Sequence, residues 1–146
     1  MSHKSTINMK IDDRATLIST LKMMGISFSE AEKTNGLKTE CSYQHTISDV
    51  DIRMENDSHG NDMKSVGFRK EDDDTYTAVG DFWSCRSART KEGESINEAT
   101  FKDAVSKRYV YLRAVEQLQN SGFSVENPDS LDFTQNEVKF SMESQF

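Results

Sequence analysis

The stretch from Ser95 to Gly122 constrains the fold more than any other part of the chain, because its pattern fits one long amphipathic helix. Ser95 and Glu98 have the spacing of a capping box, and Gly122 can adopt the left-handed conformation that commonly closes a helix. The apolar residues recur at about 100° per residue, as expected for one helical stripe. This stripe consists of Phe101, Ala104, Val105, Leu112 and Val115. The sequence therefore predicts a helix from Ser95 to Ser121 that packs through one face.

Arg108 projects near the middle of this apolar stripe and is flanked by Tyr109 and Tyr111. A charge at such a position must reach solvent or find a partner, because burial of an unpaired charge is costly. Asp81 precedes an apolar pair of residues at the end of a predicted strand, within reach of the helix. A guanidinium can bind a carboxylate through two hydrogen bonds. We therefore expect an ion pair between Arg108 and Asp81 that joins the helix to the sheet.

The remaining chain predicts six strands and a second, shorter helix. Alternating apolar residues indicate strands over 4–11, 46–54, 65–70, 75–79, 123–125 and 138–142. The second helix follows the first strand, with Asp12 or Asp13 as its cap and Gly25 at its end. Residues 26–28 offer a further short strand, and residues 30–44 are expected to form an exposed connection.

The resulting order, β-α-β-β-β-α-β-β, contains too few helices for a doubly wound parallel sheet. We predict one domain, residues 1–146, of the α+β class. Its architecture is a two-layer sandwich in which an antiparallel-rich sheet carries both helices on one face.

Charge and hydropathy limit the classes of partner. The formal net charge is -7, from 25 acidic and 18 basic residues, so the averaged field repels phosphate backbones and anionic membrane surfaces. No apolar run approaches the roughly 18 residues of a membrane span, and no leader-like segment is present. We expect an acidic, soluble, cytoplasmic protein that binds neither nucleic acid nor membranes directly.

The chain carries no motif that identifies a reaction. Cys41 and Cys85 have no histidine beside them in sequence, and no phosphate-binding loop or nucleophile elbow occurs. Acids and histidines are frequent over residues 45–62, but their spacing fits neither a calcium loop nor a usual zinc array. We predict no catalytic residue, no metal site and no cofactor, and an enzyme is the less favoured class.

Several short motifs occur together in a family pattern. They are Ser5-Thr6-Ile7, Val66-Gly67-Phe68, Tyr76 to Asp81 with Trp83, Arg108-Tyr109-Val110-Tyr111, and Gly122-Phe123. In this order and spacing the chain resembles the hypothetical chloroplast reading frame thirty-five family, a domain-of-unknown-function family of plastids and cyanobacteria. The resemblance runs from Met1 to about Glu126. It implies a small soluble α+β domain without an established activity, and it supplies no catalytic residues.

The chain departs from that family pattern in its long connection after Trp83 and in the charged turn over residues 57–62. These departures favour a divergent member. A single proline and the frequent Asn, Ser and Met residues are typical of phage-encoded versions of host proteins, which favours carriage by a virus of a photosynthetic host.

Three functional hypotheses follow from the sequence. The leading one is a non-catalytic protein-binding or adaptor module that docks an unidentified protein through Trp83, Tyr109 and Tyr111, or through an exposed sheet edge. The alternative is an anion-binding, small-ligand-binding or enzymatic domain centred on Arg108, with the same aromatic residues around it. The third is an acidic mimic of nucleic acid that uses the acidic residues 71–74.

Overall fold

The computed structural model of the protein describes residues 4–40, 47–125 and 142–144. Two helices and nine strands lie within these ranges. In chain order they are β1 (Ser5–Ile11), α1 (Arg14–Met23), β2 (Ser27–Glu30), β3 (Leu37–Lys38), β4 (Asp49–Val50), β5 (Ile52–Asn56), β6 (Val66–Lys70), β7 (Tyr76–Gly80), α2 (Phe101–Asn120), β8 (Phe123–Val125) and β9 (Met142–Ser144).

Five of the strands form one antiparallel sheet in the order β1-β7-β6-β5-β2. Ile7 lies opposite Ala78, Ala78 opposite Phe68, and Phe68 opposite Ile52. Residues that face each other across antiparallel strands project on the same side of the sheet. This row therefore defines the apolar face, and its members belong to or pack against the single hydrophobic core.

Both helices contribute to the core on that apolar face. The Phe101 ring of α2 lies 5.8 Å from the Phe68 ring, between ring centroids, and 5.0 Å from the ring of Phe82. Leu17 and Leu21 of α1 are fully buried in the same cluster. The predicted α+β sandwich is confirmed. No helix within residues 4–40, 47–125 and 142–144 is long and apolar enough to cross a bilayer.

Helix α1 begins and ends where the local sequence predicts. Asp13 is the N-cap, and its Oδ1 accepts hydrogen bonds from the backbone N–H groups of Ala15 at 3.1 Å and Thr16 at 3.4 Å. These bonds satisfy donors that the first helical turn leaves without partners. Gly25 follows the helix with φ of 79°, a conformation that glycine adopts without a steric penalty.

Helix α2 begins later than predicted, at Phe101 rather than Ser95, so the capping box is wrong. The backbone of Ser95 instead pairs with Arg89 in an isolated antiparallel bridge. The Asn97 side chain then accepts from the N–H groups of Ala99 at 3.0 Å and Thr100 at 3.1 Å, which holds a separate turn before the helix. The predicted C-terminal end is confirmed, with Ser121 as the C-cap.

The predicted strand over 46–54 is interrupted at Asp51, which separates β4 from β5. The Asp51 carboxylate is buried and accepts from the backbone N–H groups of Asn35 at 2.9 Å and Lys70 at 2.7 Å. The short strand expected over 26–28 is present as β2, Ser27–Glu30. The connection predicted over 30–44 is wrong in part, because β3 forms within it at Leu37–Lys38. Residues 41–46, including Cys41, lie outside the described residues. So does most of the predicted strand 138–142, of which Met142 lies in β9, the antiparallel partner of β8.

Candidate docking site

A tight turn after β7 brings Trp83 to the surface. The carboxylate of Asp81, which is fully buried, accepts from the N–H of Trp83 at 3.0 Å and from the Ser84 hydroxyl at 2.8 Å. Ser65 donates to the Asp81 carbonyl at 2.7 Å, so the turn is also tied to the residue that precedes β6. Phe82 and Cys85 are buried beneath it. Asp81 therefore fixes the geometry of the turn.

The indole of Trp83 is 45% exposed and is held in place by its neighbour Arg86. The Arg86 Cζ lies 4.2 Å from the ring centroid, a cation–π distance, and its Nη1 donates to the Trp83 carbonyl at 3.0 Å. The other large hydrophobic residues that are exposed within the described chain are Ile47 and Val110. Trp83 differs from these because an adjacent cation orders its side chain.

The turn continues into a stretch whose charges are all positive. Residues 82–91 contain Arg86, Arg89 and Lys91 and no acid, and all three basic residues are exposed. Arg89 donates to the carbonyl of Gly93 at 3.0 Å. Among the contacts of the described residues, none of the three forms an ion pair. We call residues 83–91 the cationic loop; it stands out in a protein whose net charge is -7.

Asp57 anchors the cationic loop from below. Its buried carboxylate accepts from the backbone N–H groups of Arg89 at 2.8 Å, Asn61 at 2.7 Å and His59 at 2.9 Å. Burial alone would raise the pKa of Asp57, but hydrogen bonds from Asn61, Arg89 and His59 outweigh burial and lower the pKa. The His59 ring nitrogen Nε2 also lies 3.0 Å from the Thr90 carbonyl oxygen. The turn over residues 57–62 and the cationic loop are thus packed against each other.

Arg108 is fully buried, as the apolar stripe suggested, but its predicted partner is wrong. Its guanidinium donates to the Ala104 carbonyl at 2.8 Å and lies 3.4 Å from a Glu92 oxygen and 3.5 Å from a Glu94 oxygen. Lys107 also contacts Glu94, at 2.8 Å. The carboxylate of Asp81 instead accepts hydrogen bonds from the turn that carries Trp83. The two glutamates reach Arg108 because the Thr90–Gly93 turn, closed at 2.8 Å, directs the chain back toward α2.

The tyrosines on either side of Arg108 are buried rather than displayed. Tyr109 is 8% exposed, and its hydroxyl accepts from the Asp13 N–H at 3.1 Å and donates to Asp12 at 3.2 Å. Burial is the main reason that the pKa of Tyr109 is raised. Tyr111 is 4% exposed. Of the three aromatic residues in the predicted docking surface, only Trp83 is substantially exposed.

Cys85 lies on the buried underside of the Trp83 turn. It is 2% exposed, and burial raises the pKa of its thiol to about 12. The thiolate is the reactive form of cysteine. Cys85 is therefore protonated and inert at neutral pH.

The acidic hairpin between β6 and β7 has partners for much of its charge. Glu71 contacts Arg69 at 2.8 Å and Asp74 contacts Lys70 at 3.5 Å, while Asp73 accepts from the Thr75 hydroxyl at 2.6 Å. It borders an open depression of about 450 Å³ on the sheet. Within the described residues, no group of three or more His, Cys, Asp or Glu side chains is placed to hold a metal ion.

The sequence shows that the segment after Trp83 is basic at Arg86, Arg89 and Lys91, but sequence reasoning assigned no role to it and did not predict the two glutamates beside Arg108. A signal for Arg86 was present, because a residue three positions after an aromatic in a turn is placed to contact its ring. Glu92 and Glu94 gave no comparable signal, since their approach to α2 depends on the path of the whole segment between Trp83 and α2.

The family described as "Protein of unknown function (DUF1257)" matches residues 20–138. The match covers most of the chain, including α2 and the cationic loop, and the chain belongs to this family. Comparisons with curated proteins and with solved structures find no match.

Proposed function

We propose that the protein is a non-catalytic binding module that docks a partner protein through the turn at Trp83. The observation that carries this proposal is the 45% exposure of the one tryptophan of the chain on a turn held by Asp81 and Arg86. Tryptophan and arginine are enriched among the residues that dominate interface energies. An ordered side chain also loses less conformational freedom on binding than a mobile one.

The alternative centred on Arg108 has less support. Its guanidinium is fully buried and contacts Glu92 and Glu94, so a second anion would have to compete with two carboxylates already in place. The acidic-mimic hypothesis is weakened by Arg69 and Lys70, which neutralise part of the hairpin. Neither the Arg108 region nor the acidic hairpin presents an exposed aromatic side chain comparable to the indole of Trp83.

The test compares partner capture by two variants that each remove one exposed apolar side chain. Trp83→Ala removes the proposed anchor, and Val110→Ala removes a side chain that is 64% exposed on α2. We expect Trp83→Ala to lose a partner that both the unaltered protein and Val110→Ala recover from host extract, with circular dichroism showing all three folded. Equal recovery by folded Trp83→Ala would overturn the proposal.

We also infer that the chain is a divergent, virus-borne relative of the chloroplast reading frame thirty-five family and acts in the cytoplasm of its host. The motif order from Ser5-Thr6-Ile7 to Gly122-Phe123 and the single proline support this inference. Sequencing the flanking genes tests it: viral structural genes beside the coding region are expected, and an uninterrupted host gene cluster would contradict a viral origin.

A further inference from the structure

The arginines of this protein divide into two groups by their partners. Each member of the larger group contacts a carboxylate: Arg14, Arg53, Arg69, Arg108 and Arg113. In the described residues, Arg86 and Arg89 instead donate to backbone carbonyls, at 3.0 Å in both cases. Both lie in the cationic loop. A carbonyl leaves the positive charge of a guanidinium uncompensated, so this charge is available to a ligand.

We propose that the cationic loop recognises an acidic peptide segment of the partner, with Trp83 packing against an apolar residue of that segment. This inference rests on the proposed function and names the chemistry of its partner. Complementary charges steer encounter and fix orientation, while the exposed indole supplies apolar contact area. Both elements occur within nine consecutive residues, 83–91.

The loop is held in shape from several sides before any partner arrives. Asp81 fixes the turn that carries Trp83, Asp57 fixes the backbone at Arg89, and Arg108 holds the returning end through Glu92 and Glu94. A surface organised in advance loses less conformational entropy on binding. The buried carboxylates of Asp57 and Asp81 therefore hold the backbone of an exposed basic surface, whose side chains contact no carboxylate among the described residues.

A short peptide fits this surface better than a nucleic acid. A polynucleotide carries a charge on every unit and gains affinity from each cation along its path. Beyond the loop it would meet exposed acids such as Glu98 and Asp103 of a protein with net charge -7. Aromatic residues and arginine also stack on bases, so a single-stranded oligonucleotide is the competing ligand to exclude.

The experiment follows the fluorescence of Trp83, which needs no label because the chain has one tryptophan. The folded protein is titrated with a synthetic peptide of Glu, Asp and Leu residues at low salt, and in parallel with an oligothymidylate of the same length. We expect the peptide to change the emission saturably and to bind more tightly than the oligonucleotide. Added salt should weaken peptide binding, because exposed charges are screened.

Lys91→Gln provides the specific variant and Lys102→Gln the matched control, since both lysines are exposed and lie outside the indole contact. We expect Lys91→Gln to weaken peptide binding roughly three- to tenfold and Lys102→Gln to leave it nearly unchanged. Equal effects of the two substitutions, tighter binding of the oligonucleotide, or no saturable response to the peptide would each overturn the inference. The proposed function is judged separately, by whether Trp83→Ala loses its captured partner.

Discussion

Arg108 and Arg86 both contact the segment between Trp83 and Glu94, but their surroundings are opposite. Arg108 is fully buried, with Glu92 and Glu94 beside its guanidinium. Arg86 is exposed and lies over the ring of Trp83. A buried charge destabilises the fold unless a partner compensates its lost hydration. An exposed charge is hydrated and needs no partner within the protein, so it can bind a ligand. The first arginine thus serves the fold, and the second is free to serve recognition.

The contrast between the two arginines also explains why Arg108 is a poor choice of site. Arg108 and its tyrosine neighbours hold α2 to other segments: Arg108 to the returning loop and Tyr109 to the turn before α1. A motif can therefore mark residues needed to build the fold. The exposed surface around Trp83 lies at the start of the cationic loop, whereas Arg108 of α2 contacts the segment that follows the end of this loop.

The largest effect is expected from replacing Arg108. Arg108→Met should lower the free energy of unfolding by about 3–5 kcal/mol, because two partly buried glutamates lose a buried partner. Urea denaturation measures this loss. Arg113→Met is the control, since that side chain is 40% exposed in its ion pair with Asp13, and exposed ion pairs contribute only about 0–1 kcal/mol. Equal losses in the two variants would break the contrast between buried and exposed arginines.

Cys85 tests whether the underside of the Trp83 turn is closed. With a thiol pKa of about 12, Cys85 should react with an alkylating reagent at pH 8 at least about a hundredfold more slowly in the folded protein than in urea. The measurement uses a Cys41→Ser background so that only one thiol is present. Similar rates in the folded and unfolded states would mean that the turn opens as a whole and that Trp83 is not rigidly displayed.

Asp57 tests the anchor under the cationic loop. Its lowered pKa means that it stabilises the fold above its unfolded pKa of about 3.9, and that this contribution disappears as the pH falls through the folded pKa. Asp57→Asn should cost about 1–3 kcal/mol at pH 7, because an amide offers fewer acceptors to the same donors. Urea unfolding measured at decreasing pH should show the difference from the unaltered protein shrinking below about pH 4. A difference that grows toward acid would contradict the assignment.

The smallest effect on stability is expected from Arg86→Gln. Exposed substitutions away from buried networks usually change stability by less than about 0.5 kcal/mol, and the cation–π contact contributes a similar amount. Thermal unfolding should therefore be nearly unchanged, while acrylamide quenches Trp83 more strongly because one face of the indole is uncovered. A large loss of stability would place Arg86 with Arg108 as a structural residue.

The sequence predicted features that depend on neighbouring residues and failed where distant segments decide. Asp13 and Gly25 delimit α1 as expected, because capping involves residues within one turn. Ser95 did not cap α2, because its backbone pairs with Arg89. Likewise, the stripe predicted that Arg108 would be buried but not that Glu92 and Glu94 would surround it.

The candidate site, too, was predicted where neighbouring residues decide and missed where distant segments decide. Trp83 was identified from sequence, but its predicted neighbours Tyr109 and Tyr111 are buried. Helical periodicity places Tyr109 and Tyr111 to either side of Arg108. Whether these positions are buried depends on which distant segments pack against them. Tyr109, for example, is covered by the Asp12–Asp13 turn. Arg86 and Arg89 had the residue types of a binding surface, but only the folded chain shows that neither contacts a carboxylate among the described residues.

Quenching of Trp83 fluorescence by ions in the free protein measures whether the exposed indole lies in locally positive surroundings on an acidic protein. Iodide and caesium ions are compared at equal low ionic strength, since at 0.1 M salt interactions between exposed charges more than about 10 Å apart are largely screened. We expect the ratio of iodide to caesium quenching to be larger for Trp83 than for free N-acetyltryptophanamide, despite the net charge of -7, and smaller in Lys91→Gln than in the unaltered protein. A ratio at or below that of free N-acetyltryptophanamide would mean that the acidic remainder of the protein dominates at Trp83 and that its surroundings are not positive.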